Sequence, residues 1–292
     1  MNGITILGTG EYTPETVVTN EMFTKFIDTT DEWITTRTGI RERRMSPDKP
    51  NFMMATEAAK AALASAGKTA KDIDCIIVST CSPDFYYPNT ACLVQNLIGA
   101  QPCACMDVNT ACTGFITAVD IARNFLANDT YKTVLIVASE RLTSQIDYTD
   151  RASCILFGDG AGAVVLEAGE NYLDAVFDVK GGDDVIDIPQ PVGMSPFYER
   201  GQEKKPYIHM AGQETFKFAV TAICRDCKEI LERNGLTFDD IAYIVPHQAN
   251  QRIIDFASTK LKVPKEKFYL NIHKYGNTSS ASLLILLDEM KK

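Results

Sequence analysis

Short apolar runs alternate with stretches of helical period along most of the 292-residue chain. In the first half the runs are "CIIVST" (75–80), "CACMDV" (103–108), "TVLIVAS" (133–139) and "AGAVVLEA" (161–168). In the second half "IAYIVPH" (241–247) and "KFYLNIH" (267–273) repeat the theme. Strand-length runs separated by helix-length segments predict an α/β fold with largely parallel strands. No low-complexity linker divides the chain, and the least regular stretch, 181–206, rich in Asp, Pro and Gly, reads as a surface excursion. The opening "MNGITILGTGEYTP" reads as a strand and a glycine turn, without the charged start and apolar core of a secretory leader.

Shifting the chain against itself by 168 positions exposes a repeat. Gly67, Thr69, Asp72, Ile73 and Ile76 fall on Gly235, Thr237, Asp240, Ile241 and Ile244, and Asn109-Thr110 falls on Asn277-Thr278 without a gap. An Asp-Ile before a strand is common, but seven identities that keep one order and spacing point to a duplicated α/β unit. The expected organisation is an N-terminal half, 1–170, and a C-terminal half, 171–292. The first half goes on through "TVLIVAS" and "FGDGAGAVVLEA", whose counterparts would fall near 302–307 and 325–336, past Lys292. The second half is therefore expected to stop at its third helix.

Composition narrows the class. Apolar residues at 45% and charged residues at 23% are ordinary for a globular protein, and the formal charge of −9 disfavours nucleic acid or an anionic membrane as a partner. No run approaches the roughly 18–20 apolar residues of a membrane span. The nine cysteines are odd in number and several lie in apolar runs, as Cys75 and Cys154 do, which favours reduced thiols and a cytoplasmic setting. "CAC" (103–105) and "CRDC" (224–227) lack a second Cys/His pair at zinc-like spacing, so no metal site is expected.

One cysteine stands apart. "DVNTACTGF" (107–115) reads as a strand running into a helix, with Cys112 at the junction, where a helix N-terminus favours the thiolate. The repeat sets Asn277 at the mirrored junction, and His247 ends the strand in "IVPHQAN". In open α/β sheets, sites lie beyond the carboxyl ends of the strands, so thiol, imidazole and amide face one crevice. Taken singly, each has a structural explanation: a small buried hydrophobe, a satisfied strand-end histidine, a helix N-cap. At corresponding places of a duplicated unit, a catalytic site is the better reading. His209 and His273 have no such context and read as surface or structural. The order Cys, His, Asn also describes papain-like proteases, but their signature around the cysteine is missing and the duplication has no place in that fold.

These residues resemble the thiolase-like condensing enzymes, specifically the β-ketoacyl-acyl-carrier-protein synthase III family. The resemblance rests on "DTTDEWITTRTGIRERR" (28–44), "DVNTACTGF" (107–115), "DYTDRASCILFGDGAGAVVL" (147–166), "VPHQANQRII" (245–254) and "HKYGNTSSAS" (273–282). It implies a five-layer αβαβα fold of two related halves, with Cys112, His247 and Asn277 as the catalytic set. The implied reaction is a decarboxylative Claisen condensation of an acyl-CoA with malonyl-acyl-carrier protein, which starts fatty acid synthesis without a permanently bound cofactor. Trp33 and Arg151 match a pair that sandwiches the adenine of coenzyme A, the arginines near Trp33 (Arg37, Arg41, Arg43 and Arg44) suit its phosphates, and Asn250 matches a pantetheine contact. Tyr87, in "FYYPNTAC", matches an acyl-pocket position often filled from the partner subunit, which implies a homodimer and a short primer. Lys217, Arg252 and Lys260, with Lys262, Lys265 and Lys267, would dock the acidic carrier protein; the first two match family docking positions.

The resemblance also implies two closing strands and a Gly-rich turn that supplies an oxyanion-hole N–H, and neither occurs within the 292 residues. A second reading follows: a subunit that keeps the fold but not the turnover, or a related condensing enzyme with another acyl product.

Overall fold

The structure, a computed structural model, describes residues 3–189, 196–197 and 205–292. Seven strands belong to the first half: β1 (Gly3–Tyr12), β2 (Thr16–Thr19), β3 (Glu42–Met45), β4 (Cys75–Ser79), β5 (Ala104–Val108), β6 (Thr133–Arg141) and β7 (Asp159–Gly169). Among them run helices α1 (Asn20–Phe23), α2 (Asp31–Thr38), α3 (Asn51–Ala66), α4 (Thr90–Ile98), α5 (Gly114–Ala127) and α6 (Arg151–Cys154). The second half is helical: α7 (Gly212–Arg233), α8 (Gln251–Leu261), α9 (Ile272–Tyr275) and α10 (Ala281–Lys291). Of the excursion expected over 181–206, the described part holds only a two-residue pairing of Ile186–Asp187 with His209–Met210.

The main sheet has the order β1-β7-β6-β4-β5. β4 is parallel to β5 and β6, but β7 runs antiparallel to both β6 and β1, so the sheet is more mixed than the sequence pattern suggests. The connection after β6, residues 142–158, returns the chain through α6 without a long crossover helix. One face of the sheet packs on α3 and α4; Ala55, Ala58, Ala59 and Ala62 keep α3 thin enough to lie close. The other face packs on α5 and on α10, which arrives from the second half with Leu284 and Ile285.

Beyond α5 and α10 the layering continues. Val245 packs toward their cluster, while its neighbour Ile244 packs with Phe268 into the core of α7 and α8. This period-two alternation places the 244–245 and 268 runs as a fourth layer and α7/α8 as a fifth, the αβαβα order expected. The two second-half runs expected as strands form only a single parallel bridge, Ile244 to Phe268, with Ile244 N–H donating to Lys267 O (2.7 Å) and Tyr269 N–H to Ile244 O (3.1 Å). Pro246 removes a donor from the first run, Ile272 and His273 of the second enter α9, and no third strand lies alongside among the described residues.

The repeat holds at the level of local structure. Thr69 with Asp72 and Thr237 with Asp240 form the same reciprocal capping box, each two residues after a left-handed glycine, Gly67 (φ 64°) and Gly235 (φ 65°). After Asn-Thr, both junctions place a non-glycine residue in the left-handed region: Ala111 (φ 46°) and Ser279 (φ 50°). A shared strained dihedral at corresponding positions is hard to produce except by duplicated structure.

Candidate active site

Cys112 lies in the tight turn Ala111–Thr113 between β5 and α5. The strand end is anchored by Asp107, which accepts the first amides of α4, Thr90 N–H (2.7 Å) and Ala91 N–H (2.8 Å). The thiol differs from its sequence-based expectation. Helix α5 starts two residues later, at Gly114, and the half-buried Cys112 loses more solvation than that helix end restores. Burial pushes the thiol up to about 11, the Ser279 hydroxyl opposes it in part, and Glu140 pushes the same way as burial.

His247 ends its run half-buried, with Nδ1 2.7 Å from Ser282 Oγ. That hydroxyl also accepts Gln248 N–H (3.3 Å), which leaves its own proton available to Nδ1, and in the tautomer where Nδ1 accepts it Nε2 carries the ring proton. Nε2 is buried and has no hydrogen-bond partner among the described residues. Burial holds the imidazole down to about 4, so it is neutral near pH 7 and presents one unused N–H donor.

Asn277 is buried, and its Oδ1 accepts Ser279 N–H (2.8 Å), which leaves its amide N–H₂ without a partner among the described residues. Its backbone is clamped to the first half, with Asn277 N–H donating to Leu156 O (2.8 Å) and Gly158 N–H to Asn277 O (3.0 Å). Gly276 before it must be glycine: φ is 64°, and a Cβ there would lie 2.8 Å from Leu156 O. Gln248 holds the approach, accepting Asn271 N–H and Ile272 N–H (both 3.1 Å) at Oε1.

Segment 277–282 thus brings the three candidates to one place. Asn277 is part of it, Ser279 bears on the electrostatics of the Cys112 thiol, and Ser282 is hydrogen-bonded to His247. Ser279, Ser282 and Gln248 lie within conspicuous motifs, but nothing in the sequence marks them as supports. Glu140 was not legible either: it is a fully buried carboxylate at the end of β6, hydrogen-bonded to Thr80, Cys81, Ser82 and Ser280. Among the described residues, no group of three or more His, Cys, Asp or Glu is arranged to hold a metal ion.

A second group forms at the α2 end. Arg37 and Arg151 both lie over the Trp33 ring, at 4.3 and 4.6 Å from its centroid, and Asn250 Nδ2 donates to Arg37 O (3.1 Å). Trp33, Arg37, Arg151 and Asn250 therefore share one rim. Arg43 does not join them. It is fully buried and donates to Val18 O, Asn20 Oδ1 and Ile155 O, because β3 carries it under the sheet edge and away from solvent. Arg44 pairs with Glu42 (3.0 Å).

Tyr87 is not near Cys112 in its own chain: it is 87% exposed beside exposed Phe85 and Tyr86. Of the basic residues, Lys217, Arg252 and Lys260 are exposed on α7 and α8, and Arg252 lies over Phe216. Two others are taken up by the fold: Lys265 pairs with Asp255 (2.6 Å) and Lys267 caps the Phe238 and Ile241 carbonyls. His209 Nε2 lies 2.9 Å from Lys205 O, and His273 is exposed, both outside the site.

The buried imidazole gives a pH prediction. Between about 6.5 and 4 the unfolded chain takes up a proton that folded His247 refuses, so the folded state loses stability as pH falls through that window. Melting temperature against pH should flatten there in His247→Asn; an unchanged slope would place the titrating group elsewhere.

Fold and site together define a condensing enzyme of the thiolase-like class. The description "3-Oxoacyl-[acyl-carrier-protein (ACP)] synthase III" matches residues 106–184, and its C-terminal counterpart matches residues 231–292. The β-ketoacyl-[acyl-carrier-protein] synthase III of Clostridium acetobutylicum is 45% identical over 295 residues, covering 100% of this chain and 91% of that protein. Crystal structures of synthase III from Aquifex aeolicus (42% identity, TM-score 0.87, 99% of this chain and 91% of that one) and Thermus thermophilus (38%, 0.89, 98% and 89%) superpose closely. The chain belongs to the 3-oxoacyl-[acyl-carrier-protein] synthase III family.

Proposed function

We propose that Cys112 takes an acyl group from acyl-CoA and passes it to malonyl-acyl-carrier protein, releasing carbon dioxide and starting a fatty acid chain. In the first step a bond forms between Cys112 Sγ and the acyl carbon while the bond to the CoA sulfur breaks, and the thiol proton leaves with CoA. In the second, the bond between the malonyl carboxylate and its α-carbon breaks to give carbon dioxide and an enolate, whose carbon bonds to the acyl carbon as the bond to Cys112 Sγ breaks; the released thiolate takes a proton from water to restore the thiol. The observation that carries this reading is a pair of unused donors on segments joined by Ser282, the N–H of neutral His247 and the amide of Asn277, of the kind an enolate oxygen needs. A cation there would also bind the resting carboxylate; neutral donors favour the charge that develops.

The rim of Trp33, Arg37, Arg151 and Asn250 is the proposed seat of CoA, with an aromatic ring and guanidinium groups suited to a flat base and phosphates. The acidic carrier protein would dock on Lys217, Arg252 and Lys260, close to that rim because Asn250 and Arg252 share the first turn of α8. A homodimer is the proposed assembly. β5 is a sheet edge, unpaired on one side among the described residues, and Phe85, Tyr86 and Tyr87 are exposed on the loop that follows β4. In a dimer Tyr87 would enter the partner's acyl pocket and restrict it to acetyl or another short primer. The chain requires no permanently bound cofactor on this reading. The cytoplasm is the proposed compartment, supported by nine free cysteines; among the described residues no helix is long and apolar enough to cross a membrane.

Incubation with acetyl-CoA and malonyl-acyl-carrier protein should yield acetoacetyl-carrier protein, and acetyl-CoA alone should leave an acetyl group on the Cys112 peptide. Absence of both would overturn the reading. The other reading, a fold without turnover, gains nothing from a site whose donors are in place.

A further inference from the structure

The mechanism proposed above gives the enolate two donors and gives the acyl carbonyl of the first step none. As Cys112 Sγ bonds to that carbon, a carbonyl electron pair moves onto oxygen, and an oxyanion held away from water needs a donor. A side chain suited to the task stands two residues after Asn277. Ser279 is 2% exposed, and its Oγ is buried with no hydrogen-bond partner among the described residues. A buried hydroxyl left unpaired costs stability, so its presence calls for a reason other than folding.

The backbone does not supply that reason. Ser279 stands in the left-handed region (φ 50°), where serine has no intrinsic advantage. The 168-position shift sets it over Ala111 (φ 46°), so the first copy of the same turn takes the same conformation with only a methyl group. Other atoms hold the turn: Ser279 N–H donates to Asn277 Oδ1 (2.8 Å), and Ser280 Oγ accepts from Ser79 Oγ (3.0 Å). Thr278 Oγ1 is also buried and unpartnered, but its methyl lies 3.8 Å from where a Cβ on Gly160 would stand, which seats it against β7. The 279–280 turn has a different neighbour. Ser280 Cβ lies 3.5 Å from where a Cβ on Gly114 would stand, so the turn rests on the first residue of α5, two residues after the thiol. In keeping with that place, the Ser279 hydroxyl favours the anion at both nearby thiols, Cys112 and Cys81.

We propose that Ser279 is a third catalytic donor, its Oγ–H hydrogen-bonded to the acyl oxygen while Cys112 exchanges its proton for the acyl group. The assignment rests on the condensing role given above and adds a residue to its first step. The bond from Sγ to carbon forms, the carbonyl pair shifts to oxygen, and Ser279 keeps its own proton throughout. When the pair returns, the bond to the CoA sulfur breaks and the thiol proton leaves with CoA. The same oxygen carries charge again when the enolate carbon attacks the acyl-enzyme, so one donor serves both transfers. A hydroxyl with no resting partner has no bond to give up before it donates, as stabilisation confined to the transition state requires.

The test is single-turnover acetylation of Cys112 by acetyl-CoA in the full chain, followed by intact-mass spectrometry. Carbon dioxide release from malonyl-carrier protein is measured separately, without acetyl-CoA. Ser279→Ala should slow acetylation about 10²-fold, the loss of one oxyanion donor, and leave carbon dioxide release near the parent rate. Its melting temperature should hold or rise, because the variant sheds an unpaired buried hydroxyl and copies the residue at 111. A hydroxyl that served the fold would lower the melting temperature and slow both steps alike; that result, or acetylation at the parent rate, overturns the proposal. Should Ser279→Ala fail to fold, Ser279→Gly, which suits a φ of 50°, must show the same split or the proposal falls. If the unmodified protein takes no acetyl group at Cys112, the condensing role fails and this assignment with it. Equal acetylation of parent and variant removes Ser279 alone.

Discussion

Replacing Cys112 with serine is expected to abolish transfer of an acyl group from acyl-CoA to the protein. The site already works against ionisation: burial and the neighbouring Glu140 hold the thiol up at about 11, although the Ser279 hydroxyl and the Cys112 backbone N–H favour the anion. An alkoxide in the same surroundings is far less accessible than a thiolate, and the hydroxyl has no base to activate it, because His247 offers its N–H rather than a lone pair toward the site. The substitution is nearly isosteric, so the Ala111–Thr113 turn and its left-handed Ala111 should survive and the melting temperature should stay close to that of the parent. Intact-mass spectrometry after incubation with acetyl-CoA gives the answer. An adduct retained by Cys112→Ser and mapped to Cys81 would relocate the nucleophile. That is not expected, since Cys81 is held against Glu140 and its thiol is pushed up further than that of Cys112.

The parts of the molecule that the sequence made legible are those in which local chemistry is repeated. The strand run at 133–139 and the junction at Cys112 follow from short-range rules and were found where they were expected, and the matched residues of the repeat form equivalent capping boxes at Thr69 and Thr237. Tertiary context decided the rest. The run "IAYIVPH" has the composition of a strand, but a strand is defined by its neighbours, and only one bridge forms beside it among the described residues. Arg43 sits among exposed-looking arginines, yet β3 buries it against backbone carbonyls far along the chain. The helix-end argument for a low thiol pKa failed because desolvation depends on everything packed around the sulfur, and most of that comes from residues distant in sequence, Glu140 and Ser279 among them. Glu140 itself follows an unremarkable apolar run, and its meaning appears only when Thr80, Ser82 and Ser280 converge on it.

His247→Ala and Asn277→Ala should divide the reaction in two, leaving acylation of Cys112 in place while stopping decarboxylation of the malonyl thioester. The division follows from what each side chain has free. Among the described residues neither side chain is hydrogen-bonded to the Cys112 thiol, so removing either one should leave the acyl acceptor as it was. Each does supply an unused N–H, His247 through Nε2 and Asn277 through its amide, and decarboxylation is the step that places negative charge on an oxygen. Loss of one such donor lowers a rate by about 10²–10³. If the two donors bear on the same oxygen, as proposed, the double variant should lose less than the product of the single losses. His247→Asn, which keeps an N–H in roughly the same place, should recover part of the activity, whereas His247→Ala should not. Carbon dioxide release from malonyl-carrier protein and acetyl transfer from acetyl-CoA, measured separately on each variant, decide the matter. If His247→Ala or Asn277→Ala removed acetyl transfer as completely as carbon dioxide release, the donors would be acting on the thiol or the fold. The assignment of both residues to the enolate would then be wrong.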